Sequence, residues 1–422
     1  MKRRLLFGER MLLGDGTEPF NTVIPFRLKG TFSLKDIQHA LDQLQAKHPW
    51  LKAIIKHDEK DIPWFEVSEK IKIPIRILAQ KSDIDWLEES KKEWHKTFNY
   101  KENGLMRFVW IKGEETSEMM FVFHHCLCDG GSAMTLLYEF LQLLDNPSAE
   151  IGLENPILGI QDVVPSEILA NRRQQLKAKF IGRLAATAIK FIPVGKKAVD
   201  RQSDYLVHWK LDKDTSKELI SYCKSQQITV NTFLSATVLQ VFKKVRGEKA
   251  FNKVSCPVDI RRFANQIKDD HIFAFGLMIV VSANQKMNFS ENLRLIQASV
   301  ERKTAKLNPY ITMMVMESAH DALKNFTKLL KHGKSSNDCM FSNLGRIQIP
   351  HQYKEFTLEN VFSPSVIGPL GNTTTMVAST FRGEMDFAFM GSEGYLPYVD
   401  ALAIRDEVIK TIKKQIEYLA VS

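Results

Sequence analysis

A short apolar strand that ends abruptly in titratable residues and glycines lies in the first third of this sequence. It reads MMFVFHHCLCDGGS, from Met119 to Ser132. The apolar run predicts a buried strand, and the paired glycines predict a turn into a helix over residues 133–144. Because side chains alternate along a strand, Phe121 and His125 should share one face while His124 takes the other. Only one of the two histidines can therefore face a given cavity.

Proton transfer is the functional hypothesis for this stretch. An imidazole titrates near neutral pH, so a histidine here can take a proton from an alcohol or amine and return it within one turnover. Asp129 either orients that ring or forms a structural ion pair elsewhere. The alternative interpretation is that two polar residues merely close a strand.

The spacing of these residues matches a known signature. His124-His125-x-x-x-Asp129-Gly130, after an apolar strand and before a helix, resembles the HHxxxDG motif of the CoA-dependent acyltransferase superfamily. That superfamily includes chloramphenicol acetyltransferase, condensation domains of nonribosomal peptide synthetases, polyketide-associated acyltransferases and alcohol acetyltransferases. The resemblance implies an α/β fold with two chloramphenicol-acetyltransferase-like lobes. Each lobe would be a mixed sheet flanked by helices, with an active-site tunnel between the two.

The resemblance also implies roles for the residues of the motif. His125 would be the general base, with His124 in a supporting position. Asp129 would make a structural ion pair rather than handle the proton. Gly130 and Gly131 would let the backbone approach the pantetheine arm of the substrate.

A candidate partner for the aspartate lies in the second half of the chain. The strand VSCPVDI, residues 254–260, delivers Arg261 and Arg262, and arginines at the end of a buried strand are costly unless paired. PVDIRR resembles the segment that supplies such an arginine in the superfamily. We assign Arg261 to Asp129, with Arg262 as the alternative; the opposing interpretation is that both arginines face solvent.

A further segment, Met340 to Pro350, reads as a strand that leads into a polar turn. Its SNLG sequence resembles a segment near the active-site tunnel of polyketide-associated and condensation-type acyltransferases. Ser342 or Asn343 could donate a hydrogen bond to a developing oxyanion, where preorganised donors help most. A plain structural turn explains the same residues equally well.

The chain predicts two comparable lobes. With 422 residues it is long enough for two or three domains, and strand and helix patterns recur after residue 205. We place an N-terminal acyltransferase lobe at 1–160, a linker with a basic helix at 161–204 and a C-terminal acyltransferase lobe at 205–422.

The linker carries a strongly basic amphipathic helix. Nine Lys or Arg occur from Arg172 to Arg201 against one acid, and Leu176, Phe180 and Leu184 recur at helical spacing. Three interpretations stay open: a solvated helix packed on one lobe, a membrane-surface helix over residues 172–192, or a site for a carrier protein or coenzyme A.

Composition excludes several classes of protein. Hydrophobic and charged contents of 44% and 25% are typical of a globular chain, and no apolar run approaches a membrane span. Five scattered cysteines predict neither a disulfide framework nor a metal site. We expect a cytoplasmic protein, with membrane association through the basic helix as an option. The net charge of +9 favours an anionic partner, but no nucleic-acid motif accompanies it.

The resulting hypothesis is an acyltransferase without a cofactor. It would move an acyl group from a thioester, acyl-CoA or acyl carrier protein, to an alcohol. A stand-alone condensation enzyme that forms an amide is the alternative within the enzyme class. A non-catalytic module of the same fold, which binds a carrier protein or a membrane, is the alternative outside it.

Overall fold

Two mixed β-sheets flanked by helices form the framework of the protein, which confirms the predicted α/β class. A computed structural model describes residues 1–14, 16, 18–153, 156–192, 203–332 and 336–420. The rest of the predicted basic stretch, residues 193–201, lies outside the described residues.

The described part of the first half forms seven strands and six α-helices. In order they are β1 (Lys2–Arg4), α1 (Phe7–Leu13), β2 (Asn21–Lys29), α2 (Leu34–Lys47), β3 (Ala53–His57), β4 (Pro63–Val67), β5 (Ile75–Ala79), α3 (Asp85–His95), β6 (Met106–Lys112), β7 (Thr116–His124), α4 (Gly130–Asp145), α5 (Ser166–Ala170) and α6 (Arg172–Lys190).

The described part of the second half adds eight strands and six helices. In order they are β8 (Asp204–Leu211), α7 (Lys213–Ser225), α8 (Val230–Arg246), β9 (Lys253–Asp259), β10 (Gly276–Ser282), α9 (Phe289–Ala305), α10 (Pro309–Ser318), α11 (Leu323–His332), β11 (Cys339–Arg346), β12 (Thr357–Val361), β13 (Ser365–Val366), β14 (Thr375–Phe381), β15 (Glu384–Ser392) and α12 (Tyr398–Ala420).

The sheet that carries the histidine motif has the order β12-β2-β7-β6-β5, and β13 also pairs with β2. Strand β7 is therefore central, between β2 and β6. Both of its neighbours run antiparallel to it. By sequence position β12 and β13 belong to the predicted C-terminal lobe, yet they complete the sheet of the N-terminal one.

The other large sheet has the order β10-β9-β11-β14-β15-β8. Its central strand β11 runs parallel to both neighbours, and the remaining pairs are antiparallel. A hairpin joins β14 to β15 at Arg382-Gly383, where both residues have positive φ, 50° and 88°. Positive φ at both positions suits a two-residue hairpin turn. A small antiparallel sheet, β1-β4-β3, lies apart from these two.

Helix α2 shows how the sequence pattern produces the first core. Its N-cap Ser33 accepts a hydrogen bond from the Asp36 backbone N–H at 3.2 Å, as the capping pattern predicts. The apolar face of the helix, including Ile37 and Leu41, is fully buried with α4 and the sheet. Burial of such side chains contributes about 1.5–3 kcal/mol each.

A second cluster combines buried residues of both sheets with residues of α3, and we call it the apolar seam. Trp86 of α3 stacks on Phe362 with ring centroids 4.0 Å apart, and Trp94 Nε1 donates to Ser365 Oγ at 3.1 Å. The buried members of the seam are Val23, Trp86, Trp94, Val109, Ile111, Met120, Val122, Phe362, Ile367, Val377, Ala388 and Met390.

Residues 309–332 form two helices, α10 and α11, separated by a turn at His320–Ala322. Part of the segment predicted as a linker, 161–204, is anchored, because Val163 and Ala178 are buried in a cluster with α10. The pairing of β12 with β2 was not predicted.

Candidate active site

Strand β7 ends at the motif, and its two faces point into different clusters. Phe121 and Phe123 enter the core of the first sheet, whereas Val122 enters the apolar seam. His124 is the last strand residue and lies opposite Asn21 of β2. His125 therefore sits just beyond the sheet rather than on the face predicted for it.

The His125 side chain is held by backbone atoms. Its Nδ1 lies 3.1 Å from the Cys128 carbonyl oxygen, and its backbone N–H donates to Phe20 O at 2.7 Å. Because a carbonyl can only accept, Nδ1 carries the proton and Nε2 keeps a free lone pair. The Phe20 ring also meets the imidazole edge-on, with centroids 5.1 Å apart. The site therefore presents an oriented nitrogen base.

The environment keeps this base neutral. Burial lowers the pKa of His125 below its ordinary value, and the Cys128 carbonyl and the Asp129 charge only partly oppose that shift. An imidazole that is uncharged near neutral pH can accept a proton.

The environment of His124 differs from that of His125. Its side chain is buried, its Nδ1 accepts a hydrogen bond from the Cys126 backbone N–H at 3.3 Å, and its ring meets Phe98 edge-on. Burial, with the nearby His125 and Arg107, lowers the pKa of His124 to about 3. This histidine closes the turn after β7.

Asp129 does not orient the imidazole. It is the N-cap of α4, where Oδ1 accepts from the Ser132 backbone N–H at 2.9 Å. Its other oxygen, Oδ2, accepts from Arg261 Nη1, also at 2.9 Å. Of the two alternatives that the sequence left open, the structure has the ion pair, and Arg261 rather than Arg262 makes it.

Arg261 belongs to a network that joins the two sheets at the motif, which we call the polar seam. It comprises Asp129, Ser132 and Thr135 of the α4 region with Arg261, Asp269, His271 and Phe273 of the β9–β10 connection. Arg261 Nη2 donates to Ser132 Oγ at 2.8 Å and to His271 O at 3.1 Å, and its guanidinium lies 4.5 Å from the Phe273 ring centroid. Thr135 Oγ1 also donates to Asp269 O at 2.9 Å.

The two glycines have ordinary backbone angles, and side chains of neighbouring segments lie close to both of them. Both are the first residues of α4, and neither has positive φ. A Cβ at Gly130 would lie 2.8 Å from Leu344 Cδ2, and one at Gly131 would lie 3.0 Å from Arg261 Nη1. At these two positions β11 and the polar seam lie close to the start of α4.

The SNLG segment reaches the motif through Leu344, which the sequence analysis did not single out. Asn343 Oδ1 accepts from the Gly345 backbone N–H at 2.9 Å, and Gly345 has a φ of 72°. The Asn343 oxygen therefore stabilises a local turn, as the structural interpretation predicted. Ser342 lies in β11 opposite Val377 of β14 and is partly exposed.

Cysteine chemistry is disfavoured beside the histidines. Cys126 and Cys128 are free and buried, and burial raises the pKa of both thiols well above the ordinary value. A protonated thiol is a poor nucleophile and a poor metal ligand. Across the parts of the chain that the structure describes, no group of three or more His, Cys, Asp or Glu is placed to hold a metal ion.

Several residues of the site left little trace in the sequence. Phe20 and the Cys128 carbonyl hold the base, and Ser132 completes the polar seam. Only Ser132 had a usable signal, because it lies at the third helical position after the N-cap Asp129.

A cavity of about 330 Å³ lies away from the motif, at the border of the apolar seam. The residues that line it include Arg27, Trp86, His208, Lys210 and Phe362.

Comparison with known proteins identifies the family. The profile of the condensation domain matches residues 1–332, most of the chain and the whole of the motif. The chain belongs to the condensation-domain family. No curated protein sequence matches the chain significantly.

Solved structures of this family share the fold over nearly their whole length. The TRI3 trichothecene 15-O-acetyltransferase from Fusarium sporotrichioides superposes with a TM-score of 0.74 at 12% identity, over 97% of this chain and 95% of the other. The first condensation domain of the calcium-dependent antibiotic synthetase gives 0.73 at 13%, over 99% and 96%. Polyketide synthase associated protein 5 from Mycobacterium tuberculosis gives 0.65 at 12%, over 98% and 100%. At such identities the likeness concerns the fold.

Proposed function

We propose that this condensation-family protein transfers an acyl group from a thioester to an alcohol, with His125 as the general base. The observation that carries the proposal is the contact of His125 Nδ1 with the Cys128 carbonyl. It fixes the tautomer with a free lone pair on Nε2, and the lowered pKa of His125 keeps that nitrogen unprotonated near neutral pH.

In the proposed reaction Nε2 of His125 takes the hydroxyl proton as the alcohol oxygen attacks the thioester carbonyl. A C–O bond forms and a tetrahedral oxyanion develops. The intermediate collapses, the C–S bond breaks, and the imidazolium returns its proton to the thiolate. The products are an ester and a free thiol, and no acyl-enzyme is formed. A positioned base of this kind contributes about 10²–10⁴-fold in rate.

In this proposal the remaining motif residues hold the base and the substrate in position. Asp129 and Arg261 hold the start of α4 against the second sheet, and His124 supports the turn that carries the base. The free amide N–H₂ of Asn343, or the hydroxyl of Ser342, would donate to the oxyanion. Gly130 and Gly131, which have no side chains, would let the backbone at the start of α4 approach the pantetheine arm of the substrate.

Net charge bears on the choice of acyl donor, and the similar proteins bear on the choice of acceptor. Acyl-CoA and an acyl carrier protein are both anionic, and both suit a chain with a net charge of +9. The similarity in fold to an O-acetyltransferase supports an alcohol acceptor. The match to the condensation domain supports the second candidate, an amine acceptor that gives an amide.

The test is thiol release from acyl-CoAs of increasing chain length, in the presence of a panel of alcohols and amines. We expect acceptor-dependent release that falls about 10²–10⁴-fold in His125→Ala. His351→Ala is the matched control, because the His351 side chain is exposed and lies outside the motif. Mass spectrometry of the products distinguishes ester from amide.

Two results would contradict the proposal. Full activity in His125→Ala would remove the histidine from the reaction. No transfer from either acyl-CoA or acyl carrier protein, with all acceptors, would favour a non-catalytic protein of the same fold.

A further inference from the structure

Helix α6 packs on the protein through its small residues. Ala178, Gly182 and Ala186 are its buried positions, four residues apart. A Cβ at Gly182 would lie 2.6 Å from Val315 O and 2.8 Å from Ser318 Cβ, so α10 approaches the helix backbone closely. The sequence left open which face of this amphipathic helix would be buried, and the structure buries the small residues.

The large apolar side chains of α6 consequently point outward. Leu176, Phe180, Leu184 and Phe191 at the helix end are 58%, 68%, 59% and 81% exposed. At about 100° per residue they fall within about 80° of one another, opposite the small residues. We call these four residues the apolar ridge. Scattered exposed apolar residues are ordinary, but a contiguous row on one helix face marks an interaction site.

The ridge is bordered by positive charge. Arg172, Lys179, Arg183 and Lys190 fall within about 40° on one flank of the helix, and Arg173 and Lys177 lie near the ridge itself. Helix α6 contains no acidic residue. Within the part of the chain that the structure describes, none of these six cations forms an ion pair. The helix therefore presents unpaired charge beside exposed apolar area.

We propose that α6 docks this protein on the surface of an anionic lipid bilayer. The ridge enters the boundary between headgroups and acyl chains, and the flanking cations contact lipid phosphates. Lysine is depleted in the cores of protein–protein interfaces, whereas a bilayer interface accepts both cations and large apolar groups. No helix within the described residues is long and apolar enough to cross a bilayer, so α6 would lie along the surface. This inference is independent of the proposed chemistry.

Sedimentation with lipid vesicles tests the proposal on the full chain. We expect the protein to bind phosphatidylcholine vesicles that contain phosphatidylglycerol, and to bind pure phosphatidylcholine much more weakly. Phe180→Ser with Leu184→Ser should weaken binding at least tenfold, since each change removes an apolar group that the bilayer would cover. Val399→Ser is the control, because Val399 is 71% exposed on α12, outside the ridge.

A variant without two of the cations separates the contribution of the positive charge to vesicle binding from that of the apolar ridge. Lys179→Gln with Arg183→Gln should weaken binding to the anionic vesicles about tenfold or more, as each basic residue near such a surface contributes about fivefold. Lys413→Gln with Lys414→Gln removes the same charge from an exposed part of α12 and should leave binding unchanged.

Insertion is measured with a tryptophan in place of a ridge residue. Fluorescence of Phe180→Trp should be quenched by phospholipids with brominated acyl chains, whereas that of Val399→Trp should not differ from the natural protein. Vesicle binding that is equal in the natural protein and in the ridge variant would overturn the proposal. So would a self-associated natural protein that the ridge variant converts to a monomer in the absence of lipid, since the ridge would then be an interface between copies.

Discussion

The two seams join the same pair of sheets by different physical means. The apolar seam relies on large side chains such as Trp86 and Phe362, whose contacts depend little on direction. The polar seam relies on hydrogen bonds and one ion pair, which need defined distances and angles. Apolar packing supplies most of the stability, while directional contacts define the position of the loop that carries His125. Stability and site geometry are thus separable.

The largest expected effect on stability comes from the apolar seam. Trp86→Ala removes a side chain that is 2% exposed and should cost about 3–5 kcal/mol in the free energy of unfolding. Urea unfolding followed by circular dichroism measures this loss. The thiol-release rate per folded molecule should stay close to that of the natural protein.

Val399→Ala provides the reference for Trp86→Ala, because an exposed position changes stability by no more than about 0.5 kcal/mol. A Trp86→Ala protein that stays fully stable, or one that is folded and inactive, would show that the seams are not separable.

The polar seam should give a smaller loss of stability and a larger loss of activity. Asp129→Asn leaves Arg261, whose side chain is 6% exposed, with only the longer contact to the more exposed Asp259 carboxylate, and should cost about 3 kcal/mol. The start of α4 then loses its fixed position, so thiol release should fall more than the folded fraction does. Unfolding and activity are measured on the same preparation.

Asp259→Asn is the matched control for Asp129→Asn. Asp259 also contacts Arg261 Nη1, at 3.4 Å, but its side chain is 39% exposed, so the change should cost about 0.5 kcal/mol or less. Equal effects of the two substitutions would mean that the position of Arg261 does not depend on Asp129.

The smallest expected effect is a pH dependence of the stability, which arises from His124 in the turn after β7. The pKa of His124 is about 3 in the folded protein and about 6.5 when unfolded, so the unfolded state binds more protons between these values. The contribution of His124 to the free energy of unfolding is fully present above pH 6.5 and is lost as the pH falls below that value. The loss between pH 7 and pH 5 should be about 2 kcal/mol.

Urea unfolding at both pH values tests this dependence. His124→Asn should reduce the difference by that amount, whereas His351→Asn, at an exposed site, should not. An unchanged pH dependence in His124→Asn would assign the effect to other groups, of which His125 shifts in the same direction.

The sequence predicted those parts of the protein that depend on local pattern. Strand β7 and the start of α4 followed from residue type and spacing, whereas the ion pair of Arg261 with Asp129 was an expectation taken from the resemblance to the superfamily. The atom that orients His125 could not be predicted, because the Cys128 carbonyl is a backbone group that any residue would supply.

Other features depend on what a segment packs against. The periodicity of α6 showed two faces, but not which one would be buried; the spacing of Ala178, Gly182 and Ala186 was the available signal for close helix packing. The pairing of β12 with β2 had no local signal at all, because the partners lie at opposite ends of the sequence.

That distant pairing affects how the protein acquires its structure during synthesis. Until residues 357–366 leave the ribosome, β2 has an unpaired edge beside its partner β7. An open edge on an apolar strand invites pairing with other chains, and contacts so distant in sequence form slowly. The growing chain is therefore most exposed to aggregation until β12 and β13 have been made and have paired with β2.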